Sequence, residues 1–238
     1  MTTGIHPTTG VVVTGGGSGM GRATCVALAE VGRPVSAWDV NAEGARETAA
    51  RCRELGVVAH ARAIDLRDGG DLEAAVGDTL ATLGSIGGLV HAAGVPGPMP
   101  IDGMTAEDWD AVIDVNLRAE ALLVRALLEP LRAARPGAAI VGIASVEALM
   151  GHGTMPAYCA SKAGLLGLTR SLAHRLGADG IRVNAVCPGA VDTPMLAPYL
   201  AMEGMREQLE RRIPLARIAD PVEVARVIRF LLSTDASY

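Results

Sequence analysis

Aromatic rings are scarce in this chain: one Phe, two Trp and three Tyr among 238 residues. Stacking platforms for single-stranded nucleic acid are built from such rings, so that reading loses an ingredient. Basic runs are missing too. The formal net charge is -5 and acids and bases are interspersed, which argues against a phosphate-tracking surface. No stretch approaches the roughly 18 uninterrupted apolar residues of a transmembrane helix. The first ten residues have neither the charged region nor the apolar run of a signal peptide. A soluble, cytoplasmic protein without membrane or nucleic-acid partners is expected. Cysteine is sparse: Cys25, Cys52, Cys159 and Cys187 lie far apart and form no C-x-x-C pair. Reduced thiols are expected, with no disulfide framework and no metal site. Pro/Ser-rich linkers, low-complexity stretches and fixed-period repeats are also missing, so residues 1–238 read as a single domain.

What is present is an alternation. Short apolar or β-branched runs at 11–13, 35–38, 57–63, 86–91, 138–143 and 181–186 predict strands. Helical spacing fills 18–31, 42–55, 71–83, 105–132 and 157–176, the long fourth segment with room for a break. Apolar strands joined by helices predict a parallel sheet covered on both faces, a three-layer α/β/α arrangement. Right-handed crossovers make that sheet doubly wound. A last helix is predicted from Asp220 to about Leu232. Asp220 can cap it, Pro221 suits its first turn, and Glu223 can reach back to the cap.

Between the first strand and first helix stands Thr14-Gly15-Gly16-Gly17-Ser18-Gly19-Met20-Gly21. Glycine is needed where the backbone turns with positive φ and where a pyrophosphate approaches without Cβ in the way. The helix N-terminus offers free N–H groups to that phosphate. The strand–turn–helix setting makes this a Rossmann-type dinucleotide site. Asp39 follows the second strand, where a carboxylate accepts from ribose hydroxyls and repels a 2′-phosphate. No cation lies between Thr14 and Gly21, and Arg22 is expected to point along the helix. NAD is therefore favoured over NADP. Asp39 could instead cap the helix beginning near Ala42, although Asn41 is better placed for that.

Tyr158 and Lys162 are four apart on a predicted helix and share one face. A nearby ammonium and a nicotinamide cation favour the phenolate of a tyrosine, making it an acid/base near neutrality. Ser145 follows the fifth strand, at the sheet edge where open α/β sheets bind ligands. Its hydroxyl can hydrogen-bond a substrate oxygen.

Taken in order, Thr14-Gly15-x-x-x-Gly19-x-Gly21, Asp65-Leu66, His91-Ala92-Ala93-Gly94, Asn116, Ser145, Tyr158-x-x-x-Lys162 and Pro188-Gly189 resemble the short-chain dehydrogenase/reductase family over nearly the whole chain. The resemblance implies a catalytic set of Asn116, Ser145, Tyr158 and Lys162. In it Tyr158 is the acid/base, Ser145 holds the carbonyl, and Lys162 depresses the tyrosine and meets the nicotinamide ribose. Asn116, in Asp114-Val115-Asn116-Leu117, anchors a water that relays protons. Gly15, Gly17, Ser18, Gly19, Met20, Asp39, Asp65, Leu66, Ala93, Gly94, Tyr158, Lys162, Pro188, Gly189, Val191 and Thr193 form the cofactor set. Within it Asp65 meets the adenine amino group, Gly94 admits the backbone to the cofactor, and Thr193, with Val191, bonds the carboxamide. Two departures stand out. His91 replaces an asparagine that ties the central sheet together, and reads as a satisfied buried histidine. The family's usual seventh strand is not present up to Tyr238: either the sequence is trimmed there or the protein is shortened, and in the second case one sheet edge is expected to be unpaired. A homo-oligomer, tetramer or dimer, is implied nonetheless.

The resemblance puts the substrate loop at about 190–214, with Met195, Leu196, Tyr199, Leu200, Met202 and Met205. Methionine adapts to irregular apolar shapes. Val95, Pro96, Glu147, Met150, His152 and Met155 are expected opposite, and Met202 and Met205 serve equally as helix packing. His152 could touch a polar substrate group but reads first as a surface histidine. The expected reaction is NAD(H)-dependent interconversion of a lipophilic secondary alcohol and a ketone. Two alternatives are kept: a 3-oxoacyl thioester reductase of the same family, which usually prefers NADP, and a non-catalytic dinucleotide sensor.

Overall fold

Val11, Val12 and Val13 have no exposed surface on either face of their strand, the signature of a strand covered on both sides. In the computed structural model, residues 7–67 and 71–238 are described. The strands are β1 (Gly10–Thr14), β2 (Val35–Asp39), β3 (Ala59–Ala63), β4 (Ile86–His91), β5 (Ala139–Ile143) and β6 (Arg182–Val186). They pair in parallel in the order β3-β2-β1-β4-β5-β6, with Val11 opposite Val35 and Thr14 opposite His91. The main helices are α1 (Gly19–Ala29), α2 (Ala42–Glu54), α3 (Leu72–Leu83), α4 (Ala106–Ile113) and α5 (Ala119–Ala133). After β5 come α6 (Glu147–Met150), α7 (Pro156–Leu176), α8 (Ala197–Leu200), α9 (Met205–Glu210) and α10 (Pro221–Leu231).

Side chains alternate across the sheet and build two cores. Val11, Val13, Val35 and Ala37 pack with Cys25 and Leu28 of α1, Ala49 of α2 and Ile228 of α10. Val12 and Trp38 pack on the other face with Leu72 of α3, Leu123 and Leu127 of α5, and Leu176 of α7. This is the expected doubly wound, three-layer sheet. The chain reverses direction across the sheet between β1 and β4, and a crevice opens above their carboxyl ends, where such sheets bind ligands.

Local signals set the helix ends. Asn41 caps α2 by accepting the Gly44 N–H at 3.1 Å. Asp220 accepts the Val222 N–H at 2.8 Å, and Glu223 accepts the Asp220 N–H at 2.9 Å, the predicted capping box of α10. The far end of α10 is held by two arginines: Arg33 donates to the Leu232 carbonyl at 2.8 Å, and Arg182 to those of Leu231 and Ser233 at 2.6 and 3.0 Å. The break expected in the long fourth helix is a π-helical turn over Asp114–Arg118. The third strand begins at 59 rather than 57, and the stretch expected as a loop after β6 contains α8 and α9.

Candidate active site

The glycine turn is shaped by what surrounds it. Gly15 has φ +64°, and a Cβ there would stand 2.8 Å from the backbone of Ala92 and Ala93 at the exit of β4. Gly19 has φ +49°, and a Cβ there would meet the Thr193 side chain at 3.3 Å, so the loop after β6 closes onto the turn. Ser18 makes no side-chain cap bond to α1, which leaves the N–H groups of that first turn to a ligand in the crevice. The crevice has a volume of about 780 Å³ and is lined by Gly15, Ser18, Gly19, Met20, Asp39, Asp65, Leu66, Ala93, Gly94 and Thr193 of the expected cofactor set. A glycine cradle, free helix N–H groups and a carboxylate at the end of β2 fit a dinucleotide. Gly17 stands behind the lining: its N–H donates to Asp39 Oδ2 at 2.8 Å. Pro188, Gly189 and Val191 do not line the crevice. They tie the loop down, with the Val146 N–H on the Pro188 carbonyl at 2.9 Å and Val191 bridged to Ala219.

Asp39 holds the turn rather than capping α2. Its other oxygen accepts the Asn41 N–H at 2.8 Å. Val40, 72% exposed, follows it. Arg22 does not run along α1 as expected. It reaches across to α2, donating to Thr48 Oγ1 at 3.0 Å, pairing with Glu47 at 3.1 Å and bonding the Gly17 carbonyl. The reason is proximity: Gly17, Gly44 and Thr48 bring acceptors under its guanidinium. Asp65 is chelated by Arg67, whose hydrogen bonds hold the carboxyl below the usual range.

The reactive residues converge beyond β5. Ser145 is buried close enough to the Tyr158 phenol to favour its ionised form, and its hydroxyl accepts the Glu147 N–H at 3.1 Å. Lys162 is 4% exposed, and its Nζ stands 5.7 Å from the centre of the Tyr158 ring. The ammonium donates to the Ile143 carbonyl at 2.7 Å. A Cβ on Gly94 would lie 3.6 Å from that ammonium and 3.3 Å from Asn116 Oδ1, so the crevice floor meets the reactive cluster there. Burial pulls Lys162 down to about 8. Tyr158 departs from expectation. Burial pushes its phenol above the ordinary value, the nearby Ser145 hydroxyl opposes this, and the Glu147 charge adds to it. The protein's own groups do not bring it to neutrality.

Asn116 is buried in the π-helical turn. Its amide accepts the Val95 N–H at 2.8 Å and donates to the Val95 carbonyl at 3.0 Å and Ser161 Oγ at 3.1 Å. It therefore braces the turn against the β4 exit and α7. His91 is buried and satisfied, as expected: its ring bonds Thr14 Oγ1 at 2.9 Å and the Val115 carbonyl at 3.1 Å. Burial lowers it to about 3.

Of the expected substrate residues, Val95 and Met195 line the crevice. Glu147 lies beside Ser145, half-buried. His152 is exposed and held by Thr154 at 3.1 Å. Met155 precedes α7, and Tyr199 sits on α8, 40% exposed; neither reaches the lining. Met99, Met104 and Val112 line it without having been anticipated. Two methionines in a Pro- and Gly-rich connection with no helical period were the signal for them.

Comparisons with known proteins follow the same lines. Residues 15–238 match the family described as Enoyl-(Acyl carrier protein) reductase. The chain is 39% identical over 242 residues to levodione reductase of Leifsonia aquatica, covering 96% of this chain and 88% of that one. It is 40% identical over 228 residues to cis-4-hydroxycyclohexanecarboxylate dehydrogenase of Sinomonas cyclohexanicum, covering 95% and 90%. A crystal structure of 3-ketoacyl-(acyl-carrier-protein) reductase from Brucella melitensis complexed with NADH superposes with a TM-score of 0.88 at 29% identity, covering 97% of this chain and 93% of the other. With this fold, this cluster and these relatives, the chain belongs to the short-chain dehydrogenase/reductase family and is an oxidoreductase acting on CH–OH groups.

Proposed function

We propose that the enzyme interconverts a lipophilic secondary alcohol and its ketone with NAD(H), and that Tyr158 moves the proton. One observation carries this reading: Ser145, Tyr158 and Lys162 meet at the carboxyl end of β5, beside the crevice above β1 and β4. When bound, the nicotinamide supplies the hydride chemistry and, when oxidised, a positive charge. The remaining work belongs to the chain. In reduction Tyr158 donates its hydroxyl proton to the substrate oxygen; in oxidation its phenolate takes the proton back. Ser145 hydrogen-bonds the same oxygen and stabilises charge developing there. Lys162 contributes the ammonium that favours phenolate. Asn116, its amide engaged with Val95 and Ser161, would act by holding the turn beside the reactive cluster.

Three features favour NAD over NADP: the Asp39 carboxylate, the apolar Val40 beside it, and the engagement of Arg22 with Thr48 and Glu47. Asp65 would reach adenine by loosening its exposed pair with Arg67, a weak contact to displace. Thr193 and Val191 would meet the carboxamide, with Pro188 and Gly189 holding their loop. The apolar wall of Val95, Met99, Met104 and Met195 suits a ring-borne alcohol of the kind named in one relative. A 3-oxoacyl thioester is the second reading, favoured by the Brucella melitensis neighbour. A cytoplasmic homo-oligomer is the setting we expect, with the half-exposed Val227 and Phe230 of α10 as contact surface.

The test is a titration with NADH and NADPH, followed by turnover on cyclic alcohols and on a 3-oxoacyl thioester, in the wild type and in Tyr158→Phe. NADH should bind more tightly, and Tyr158→Phe should lose about 10²- to 10⁴-fold in turnover while still binding it. Unchanged turnover in Tyr158→Phe would sink the mechanism. A preference for NADPH with thioester turnover would move the assignment to the second reading.

A further inference from the structure

The buried stripe of α5 runs through Leu123, Leu127 and Leu131, and it begins one turn earlier with an acid, Glu120. Glu120 is 1% exposed, and neither of its carboxylate oxygens has a hydrogen-bond partner among the described residues. The carboxyl lies between β5 and α7: a Cβ on Gly142 would stand 2.8 Å both from its Oε1 and from Leu165 Cδ2. Gly142 directly precedes Ile143, the residue whose carbonyl anchors the Lys162 ammonium. An apolar side chain would fill this space without the penalty of an unpartnered buried carboxylate. Packing alone therefore gives no reason for an acid here.

The electrostatic surroundings are simple. Among titratable groups, α7 brings Lys162 and Tyr158, and β4 brings His91, held neutral by burial. β5 offers only the peptide groups of Gly142 and Ile143. The charges of α3 and of the π-helical turn are engaged at the surface, Glu73 with Arg125, Asp78 with Arg62 and Asp114 with Arg118. Burial pushes Glu120 up to about 7, and the Lys162 charge draws it partly back. Burial pulls Lys162 down to about 8, and Glu120 in turn supports its charged form. Each group thus responds to the other.

We propose that Glu120 is a positioning residue for charge: ionised, it holds Lys162 as an ammonium to a higher pH than burial alone would allow, in support of the Tyr158 phenolate that alcohol oxidation uses. When protonated it releases that hold, so the Tyr158–Lys162 pair has a third titrating member buried in the core. This deepens the reading above and rests on the roles given there to Tyr158 and Lys162.

The chain offers a direct probe. Lys162 is the single lysine among its 21 Lys and Arg residues, so protein made with isotope-labelled lysine gives one side-chain NMR signal to titrate. In the wild type that signal should respond twice, first as Glu120 ionises near neutrality and then as the ammonium itself titrates. In Glu120→Gln the first response should vanish and the second midpoint fall by about one pH unit, a tenfold loss of proton affinity. Glu120→Asp should keep the two-step response. The alkaline limb of kcat/KM for alcohol oxidation should move down with the lysine midpoint in Glu120→Gln. A one-step titration of the wild type, or an unmoved midpoint in Glu120→Gln, overturns the proposal, and the wild-type measurement does not depend on a variant folding. Because the signal is read without turnover, its failure is distinguishable from failure of the proposed reaction, which Tyr158→Phe reports.

Discussion

His91, at the end of β4, is neutral in the fold because burial holds it at about 3. In the unfolded chain the imidazole returns to about 6.5. The folded state therefore binds fewer protons below that value. Its stabilising contribution is complete above pH 6.5 and is lost as pH falls toward 3. Between pH 7 and 5 the loss is about 2 kcal/mol. Asparagine keeps a donor and an acceptor for Thr14 and Val115 but does not titrate. Urea denaturation of His91→Asn is expected to lack this loss, and equal pH slopes for both proteins would refute the account. Asp39 makes a second case. Asp39→Asn keeps an oxygen for the Gly17 N–H but removes the charge that repels a 2′-phosphate. The ratio of NADPH to NADH affinity is expected to rise about tenfold, or about 1.4 kcal/mol. An unchanged ratio would remove Asp39 as selector.

Helix ends were the most legible elements, because the groups that make them are neighbours in sequence. Asp220, Pro221 and Glu223 announce the start of α10, and the structure forms both halves of the capping box. Asp220→Ala should destabilise the protein by about 1 kcal/mol and lower Tm by about 2–4 °C, measured by thermal unfolding. An unchanged Tm would mean that this helix end does not limit stability. The glycine turn and the Tyr158–Lys162 spacing were legible for the same local reason. What sequence did not reveal depends on neighbours far along the chain. Arg22 turns sideways because α2 brings Thr48 and Glu47 under it. The Tyr158 phenol is pushed up because one side of α7, with Ala157, Ser161 and Lys162, is buried in the fold, a quantity that spacing does not encode. Glu120 was overlooked because an acid on a helix ordinarily faces water. Only its phase with Leu123, Leu127 and Leu131 marks it as a core position.

At the scale of the whole molecule, the site depends on chain segments brought together from its full length. The crevice takes its floor from the ends of β1 and β4, one wall from the turn into α1, and its cover from the loop after β6. Arg33, just before β2, and Arg182 of β6 reach the same end of α10, joining residues 199 apart in one case. The π-helical turn between α4 and α5 carries a less obvious consequence. Each residue of an α-helix advances the direction of the next side chain by about 100°. The turn over Asp114–Arg118 is thus a fixed phase offset: α4 is read in one angular frame and α5 in another. Removing a single residue there would restore one continuous frame and rotate everything downstream. Leu123, Leu127 and Leu131 would swing off the sheet, and Glu120 would leave Gly142. In that stretch the number of residues is constrained as tightly as their identity, and a family of length variants would meet a barrier that substitutions at the same positions do not.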